Sequence, residues 1–434
     1  MSIHSFLRGG IRYADSTVPL RNSSVTAFLP GLSVIPLIQH TGSRANPVVT
    51  VGDRVSEGML IGRGQGLGSA NIHATVPGRV VRTVSWKMAE GLTNDALVIK
   101  LDGSFDKLGR HEEIFPWHSL SSFEIQRVIA EYGIVEMEGS GRPVSDMLYS
   151  LRSAHDPVSL VVRCVFDDPW LAADYVLLKE RLAAVAEGSR IAARAGRMGR
   201  IVLVFSRGEK ELAQALMDSM GKSDYPVTLV LTGARYPQRN SRELELVLRR
   251  FARKEGIELG PILALGPATL AAIHDAVKLK KPILSRYVAV GGSAIKKPQV
   301  MKVQIGTRIG EIFAECGGFI DKPRRIGSGS PLMGRTVIDL DEPVIKTSFA
   351  LFAYLGGQLG GGNRSKCTGC GECRVFCPVG LDPEVLYKYM QGWESRDVKA
   401  GRAGECHGCG CCEVVCPSAL PLSTSIIRSA LKGN

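Results

Sequence analysis

Long apolar runs are missing from this 434-residue chain. A bilayer-spanning helix needs about 18 apolar residues in a row. The longest candidates, RIVLVF at 200–205 and TSFALFAYLGG at 347–357, suit buried strands or short helices. No direct membrane span is therefore expected. The opening MSIHSFLRGGIRY has no apolar core of a secretory signal. The expected location is the cytoplasm, with attachment to the inner membrane, if any, made through partner proteins. Cysteine is scarce where a disulfide framework would need it: only Cys164 and Cys316 precede residue 367. Neither a Ser/His/Asp set nor a pair of acid–base carboxylates can be assembled. The basic runs at 278–281, 295–297 and 322–325 carry no interleaved aromatics. They read as solvated surface, and nucleic acid is not an expected partner.

What is present is a formal charge of +12 and a tail dense in cysteine. The charge favours acidic partners through long-range steering, such as an acidic ferredoxin or flavodoxin. The tail holds CTGCGECRVFCP (367–378) and CHGCGCCEVVCP (406–417), both C-x2-C-x2-C-x3-C-P. Three closely spaced thiolates wrap one corner of a [4Fe–4S] cube. In two-cluster ferredoxins the cysteine before proline ligates the other cluster. By that rule one cluster takes Cys367, Cys370, Cys373 and Cys416, and the other Cys406, Cys409, Cys412 and Cys377. Zinc sites or a disulfide knot are the alternatives, but zinc motifs pair two C-x2-C units. Cys411 falls outside the pattern, and His407 reads as an exposed side chain between ligands.

Four regions precede or include this tail. Residues 1–115 alternate short β-branched runs with glycine turns. PVVTVGDRVSEGMLI and NIHATVPGRVVRTV look like two halves of a flattened barrel, similar to the barrel-sandwich hybrid of biotinyl and lipoyl domains. The hairpin tip between them, 62–71, has no carrier lysine. Residues 116–285 alternate apolar runs (159–165, 200–205, 226–233, 261–266) with amphipathic segments. This predicts a Rossmann-like parallel α/β domain with ligands at the strand carboxyl ends. Residues 286–354 return to short β runs with a helix. Residues 355–434 form the cysteine region behind a Gly-rich connector at 355–363. The fold class expected is thus multidomain α/β plus β.

The order of these regions, with GGIRY at 9–13, SPLMGRTVIDLDEPVIKTS at 330–348 and both cysteine motifs, resembles one family closely. It is the RnfC family, made up of the RnfC component of the Rnf ion-translocating electron transport complex and its soluble relatives. Those relatives include cobalamin reductase and a proline reductase-associated electron-transfer protein. The resemblance implies an SLBB β-grasp domain at 286–354. It also implies an α/β domain related to the flavin- and NADH-binding component of complex I. The family's glycine loop matches GIVEMEGSGRPVS (133–145): Gly133, Gly139 and Gly141 are kept, and with Asp168 they are the flavin-site candidates. Two family glycines are Glu136 and Glu138 here, and the family's lysine is Met147. A glycine loop binds phosphate through close backbone N–H groups. A carboxylate about 4 Å from phosphate opposes it by roughly 1 to 4 kcal/mol. The expected cofactors are two [4Fe–4S] clusters, joined by FMN only in the second of the readings that follow. Two functions follow: an electron-transfer protein serving a larger complex or reductase, or an NADH-dependent FMN/iron–sulfur oxidoreductase. A structural adaptor is a third reading, for which one metal site would suffice.

Overall fold

The computed structural model describes residues 4–87, 93–102, 114–221, 223–356, 364–391 and 402–432. Most of the connector expected at 355–363 lies outside them.

Glycine turns and β-branched residues fold residues 32–101 into two antiparallel sheets. One orders Leu32–Pro36, Thr93–Leu101, Gly78–Lys87 and Arg54–Val55; the other orders Asn46–Pro47, Leu60–Arg63 and Ile72–His73. Ile35, Ile61, Ile72, Val80 and Ile99 fill the space between. The 62–71 tip exposes residues 65–67 but is anchored beyond them. The Gly68 amide donates to Asp146 Oδ2 at 2.6 Å, and Asn71 Nδ2 donates to the Glu131 carbonyl at 2.9 Å. It rests on the α/β domain.

That domain has a four-stranded parallel sheet, in the order Val227–Thr232, Arg200–Ser206, Ser159–Cys164, Ile262–Leu265. The strand Ser159–Cys164 is buried at every position, as a sheet covered on both faces requires. Alternate residues serve opposite faces. Leu160, Val162, Ile201 and Leu203 face helices including Leu182–Gly196 and Pro267–Lys278, whereas Val161, Val202 and Val230 meet Leu244, Leu248 and Phe251 of helix Ser241–Glu255.

The β-grasp region carries a mixed six-stranded sheet: Ser24–Thr26, Gln299–Gln304, Ser285–Gly291, Ala350–Tyr354, Arg325–Ser328, Arg335–Thr336. Helix Ile309–Glu315 packs Ile312 and Phe313 against it. Its first strand comes from the N-terminal segment and runs parallel to Gln299–Gln304. The chain therefore visits the β-grasp sheet before it builds the barrel. Earlier still, residues 4–13 strap the α/β domain, with bridges from His4 to Thr232 and from Ile11 to Tyr236.

Candidate metal centre and adjoining cavity

The two cysteine motifs fold as near copies. In the first, Gly369 and Gly371 take φ of 70° and 78° and lead into the short helix Glu372–Val375. In the second, Gly408 and Gly410 take 65° and 75° and lead into Cys411–Val414. Left-handed backbone at both glycines turns each loop around one point, at no cost to a residue without Cβ. Cys377, from the first motif, lines one small cavity together with Cys406, Cys409, Cys411 and Cys412 from the second. Cys367, Cys373 and Cys416 pack in one cluster with Cys412, Leu420 and Leu422, and Cys370 is exposed. Cys377 and Cys416, each before a proline, thus lie beside cysteines of the opposite motif.

Backbone amides surround these sulfurs. Gly369 N–H donates to Cys367 Sγ at 3.4 Å, and Leu381 N–H donates to Cys377 Sγ at 3.3 Å. Burial pushes the Cys377 thiol up, while the amides of Leu381, Val379 and Gly380 favour its thiolate. Among the described residues, no three His, Cys, Asp or Glu side chains could grip a single metal ion. A tetrahedral ion needs sulfurs about 2.3 Å from one point, whereas a cube needs four thiols facing a shared space. Cys411 is fully buried against Ile11 and Tyr236.

This unit is clamped to the α/β domain. Tyr236 Oη donates to the Cys409 carbonyl at 2.8 Å, and Gly10 N–H donates to the Phe376 carbonyl at 2.9 Å. His407 is not the exposed side chain expected. It is partly buried, and its Nδ1 stands 3.3 Å from Glu243 Oε2. Glu243 itself is 1% exposed, and this carboxylate raises the imidazole above its ordinary value.

His407 and Tyr236 also border a cavity of about 570 Å³ at the carboxyl ends of the parallel strands. The 133–145 loop forms its opposite wall. Of the flavin-site candidates, Gly139 and Asp168 line the cavity. Gly133 (φ 60°) lies against the barrel, where a Cβ would strike the Asn71 carbonyl. Gly141 (φ 66°) faces Thr41 and Thr347. Asp168 accepts from Trp170 N–H at 2.9 Å, and burial raises its carboxyl.

The two glutamates are buried and engaged. Glu136 Oε1 accepts from Arg163 Nη2 at 2.7 Å, and its Oε2 accepts from the Ser140 amide. Glu138 Oε1 accepts from the Thr269 amide at 2.9 Å, and its Oε2 from the Thr269 hydroxyl. Burial, then Asp174 and Glu136, raise the Glu138 carboxyl. Arg239 Nη2 donates to the Glu138 carbonyl at 2.8 Å. Thr269 and Lys346 had no part in the sequence reading. Lys346, fully enclosed, donates to the Asn71 and Gly133 carbonyls at 2.8 and 2.7 Å, joining barrel, α/β and β-grasp regions.

Three family models match in chain order: the RnfC barrel sandwich hybrid domain over residues 6–104, the Nuo51 FMN-binding domain over 129–257 and the SLBB domain over 287–336. The RnfC-type component of the ion-translocating oxidoreductase complex of Rhodobacter capsulatus is 32% identical over 82% of this chain and 69% of its own. Its counterpart in the proton-translocating ferredoxin:NAD(+) oxidoreductase complex of Clostridium ljungdahlii is 30% identical over 87% and 83%. The chain belongs to the RnfC family.

This RnfC-type electron-transport protein spans 48% of its Pseudomonas aeruginosa relative, from an ion-translocating oxidoreductase complex, with 33% identity. An NAD+-reducing [NiFe]-hydrogenase in its H2-reduced state shares the fold, with TM-score 0.50 and 14% identity over 74% of this chain and 65% of the other. No described helix is long and apolar enough to cross a membrane. The fit of this RnfC-family chain to FMN can be judged at the 133–145 loop. Of its glycines, Gly133 and Gly141 are packed against other protein groups, and the cavity's arginines are engaged. Arg163 is held by Glu136, Arg239 by the Glu138 carbonyl, and Arg242 by Glu405. These residues do not fit a flavin phosphate.

Proposed function

We propose that this RnfC-family chain relays single electrons through two [4Fe–4S] clusters, between a redox partner and a larger complex or reductase. Cys367, Cys370, Cys373 and Cys416 would hold one, and Cys406, Cys409, Cys412 and Cys377 the other. Bound clusters of this kind exchange one electron each. The protein's own part is to supply thiolates, donate amides to sulfur and exclude water with Leu420, Leu422 and Ile426. The carrying observation is that Cys377 of the first motif shares one cavity with Cys406, Cys409, Cys411 and Cys412 of the second. The four regions 1–115, 116–285, 286–354 and 355–434 then act as scaffold and docking surface. The partner is an acidic carrier of the ferredoxin or flavodoxin kind, together with the other members of a larger complex. The protein works in the cytoplasm, at the inner membrane when its partners are there.

A second reading, an NADH-dependent FMN/iron–sulfur oxidoreductase, draws on the FMN-binding family model and on the relatives' names. Iron, sulfide and flavin measured on one oxygen-free preparation separate the two. About eight irons per chain without flavin supports the relay; stoichiometric FMN with NADH-dependent bleaching supports the oxidoreductase. Cys377→Ser should remove the centre built by the second motif, seen in iron content and in the paramagnetic spectrum of the reduced protein. A colourless zinc protein would end the proposal.

A further inference from the structure

The helix Pro267–Lys278 begins under the 133–145 loop with Gly266 as its cap, and no side chain of its own caps it. The first amides of a helix and its dipole make a natural seat for phosphate. That seat is already taken. The Glu138 carboxylate accepts from both the amide and the hydroxyl of Thr269. It sits so close to Gly266 that any Cβ there would collide with it. Glu138 is 6% exposed, and Glu136 (3%) occupies Arg163, a cation that could otherwise meet an incoming anion. Two buried carboxylates stand where the family's loop has glycines.

We infer that the Glu138 side chain occupies the phosphate seat of the α/β domain, so that the cavity selects against phosphorylated flavin and nicotinamide nucleotides. Two effects act together. The Glu138 carboxyl group satisfies the helix amide that a phosphate would use, and its bulk fills the space beside Gly266. Glu136 adds to both by engaging Arg163, which is then not available to an incoming anion. The cavity keeps its volume and its apolar wall of Leu171, Met333 and Phe349, so the selection falls on phosphate and leaves an uncharged ring unopposed. The assignment stands apart from the clusters: iron content reports on the relay, flavin binding on Glu138.

The test is equilibrium binding of FMN and riboflavin to the full-length, cluster-loaded protein and to Glu138→Gly and Glu138→Gln. The unmodified protein should bind riboflavin at least as tightly as FMN. Glu138→Gly should raise FMN affinity about tenfold or more, and riboflavin affinity by less than about threefold. Glu138→Gln keeps the shape and an acceptor for Thr269. It should give a smaller gain, again confined to FMN, and covers the case in which the glycine variant does not fold. Tighter binding of FMN than of riboflavin by the unmodified protein overturns the inference. So does an equal gain for both flavins, or no FMN gain in a variant with unmodified iron content and melting temperature.

Discussion

Gly9 shows how a single residue can hold two domains at contact distance. Its φ is 63°, and a Cβ would lie 2.5 Å from the Cys377 carbonyl carbon, so alanine would meet both backbone strain and a collision. Gly9→Ala should lower the melting temperature by several degrees and expose the cysteine region to protease, while the barrel, far from the clash, keeps its protection. The buried Arg163–Glu136 pair makes a different residue-scale prediction. Removing one partner strands a charge, at a cost of about 3–5 kcal/mol, whereas replacing both with apolar groups is often neutral. Urea unfolding should therefore find Arg163→Leu/Glu136→Leu more stable than Arg163→Leu alone; the reverse order would show that the pair is not isolated from water. The sequence displayed these glutamates but not their directions. Solvent, a ligand and Thr269 were equally available to Glu138 until the loop's path was known.

At the scale of elements, Lys346 ties three regions through carbonyls alone. Burial lowers its amine to about 7. The unfolded chain, with an ordinary value near 10.5, then binds a proton that the folded chain does not between about pH 7 and 10.5, so stability rises with pH across that window. Lys346→Met should flatten the rise. Burial has the opposite effect on Asp167, whose carboxyl is pushed up to about 7 against the pull of Arg239. It removes stability as pH climbs from about 4 to 7, and Asp167→Asn should flatten that fall. Urea midpoints across the two windows check both. Elements were legible where their burial was one- or two-sided. The apolar runs at 159–165 and 200–205, alternating with amphipathic segments such as 242–256, read as covered strands and are strands in the fold. Helix Pro267–Lys278 escaped because nearly every residue from Pro267 to Val277 is buried, which erases the polar face on which periodicity depends. Its Gly-Pro start was the available signal. Ser24–Thr26 escaped because its partners lie some 275 residues away, a distance no local pattern encodes.

For the whole molecule, the order of regions and the cysteine rhythm were plain in the sequence, because each rests on local spacing. How the regions press on one another was not. Tyr236 against Cys409, His407 against Glu243 and the strap at 4–13 join segments far apart in the chain. The formal charge of +12 carries a prediction at this scale. Electron transfer with an acidic carrier should slow as ionic strength rises from about 0.01 to 0.15 M, where screening shortens from roughly 30 to 8 Å; a flat salt profile in stopped-flow would remove charge steering from the account.

The strap also sets an order of events during synthesis. Residues 4–13 leave the ribosome some 360 residues ahead of Phe376, Cys377 and Cys411, against which they close. Until then this segment waits without its mates, and the barrel and α/β sheet can mature around it. Closing so distant a contact is slow, because the loop entropy comes due before any reward. A stalled nascent chain truncated before residue 376 should therefore fold its sheets while leaving residues 4–13 open to protease.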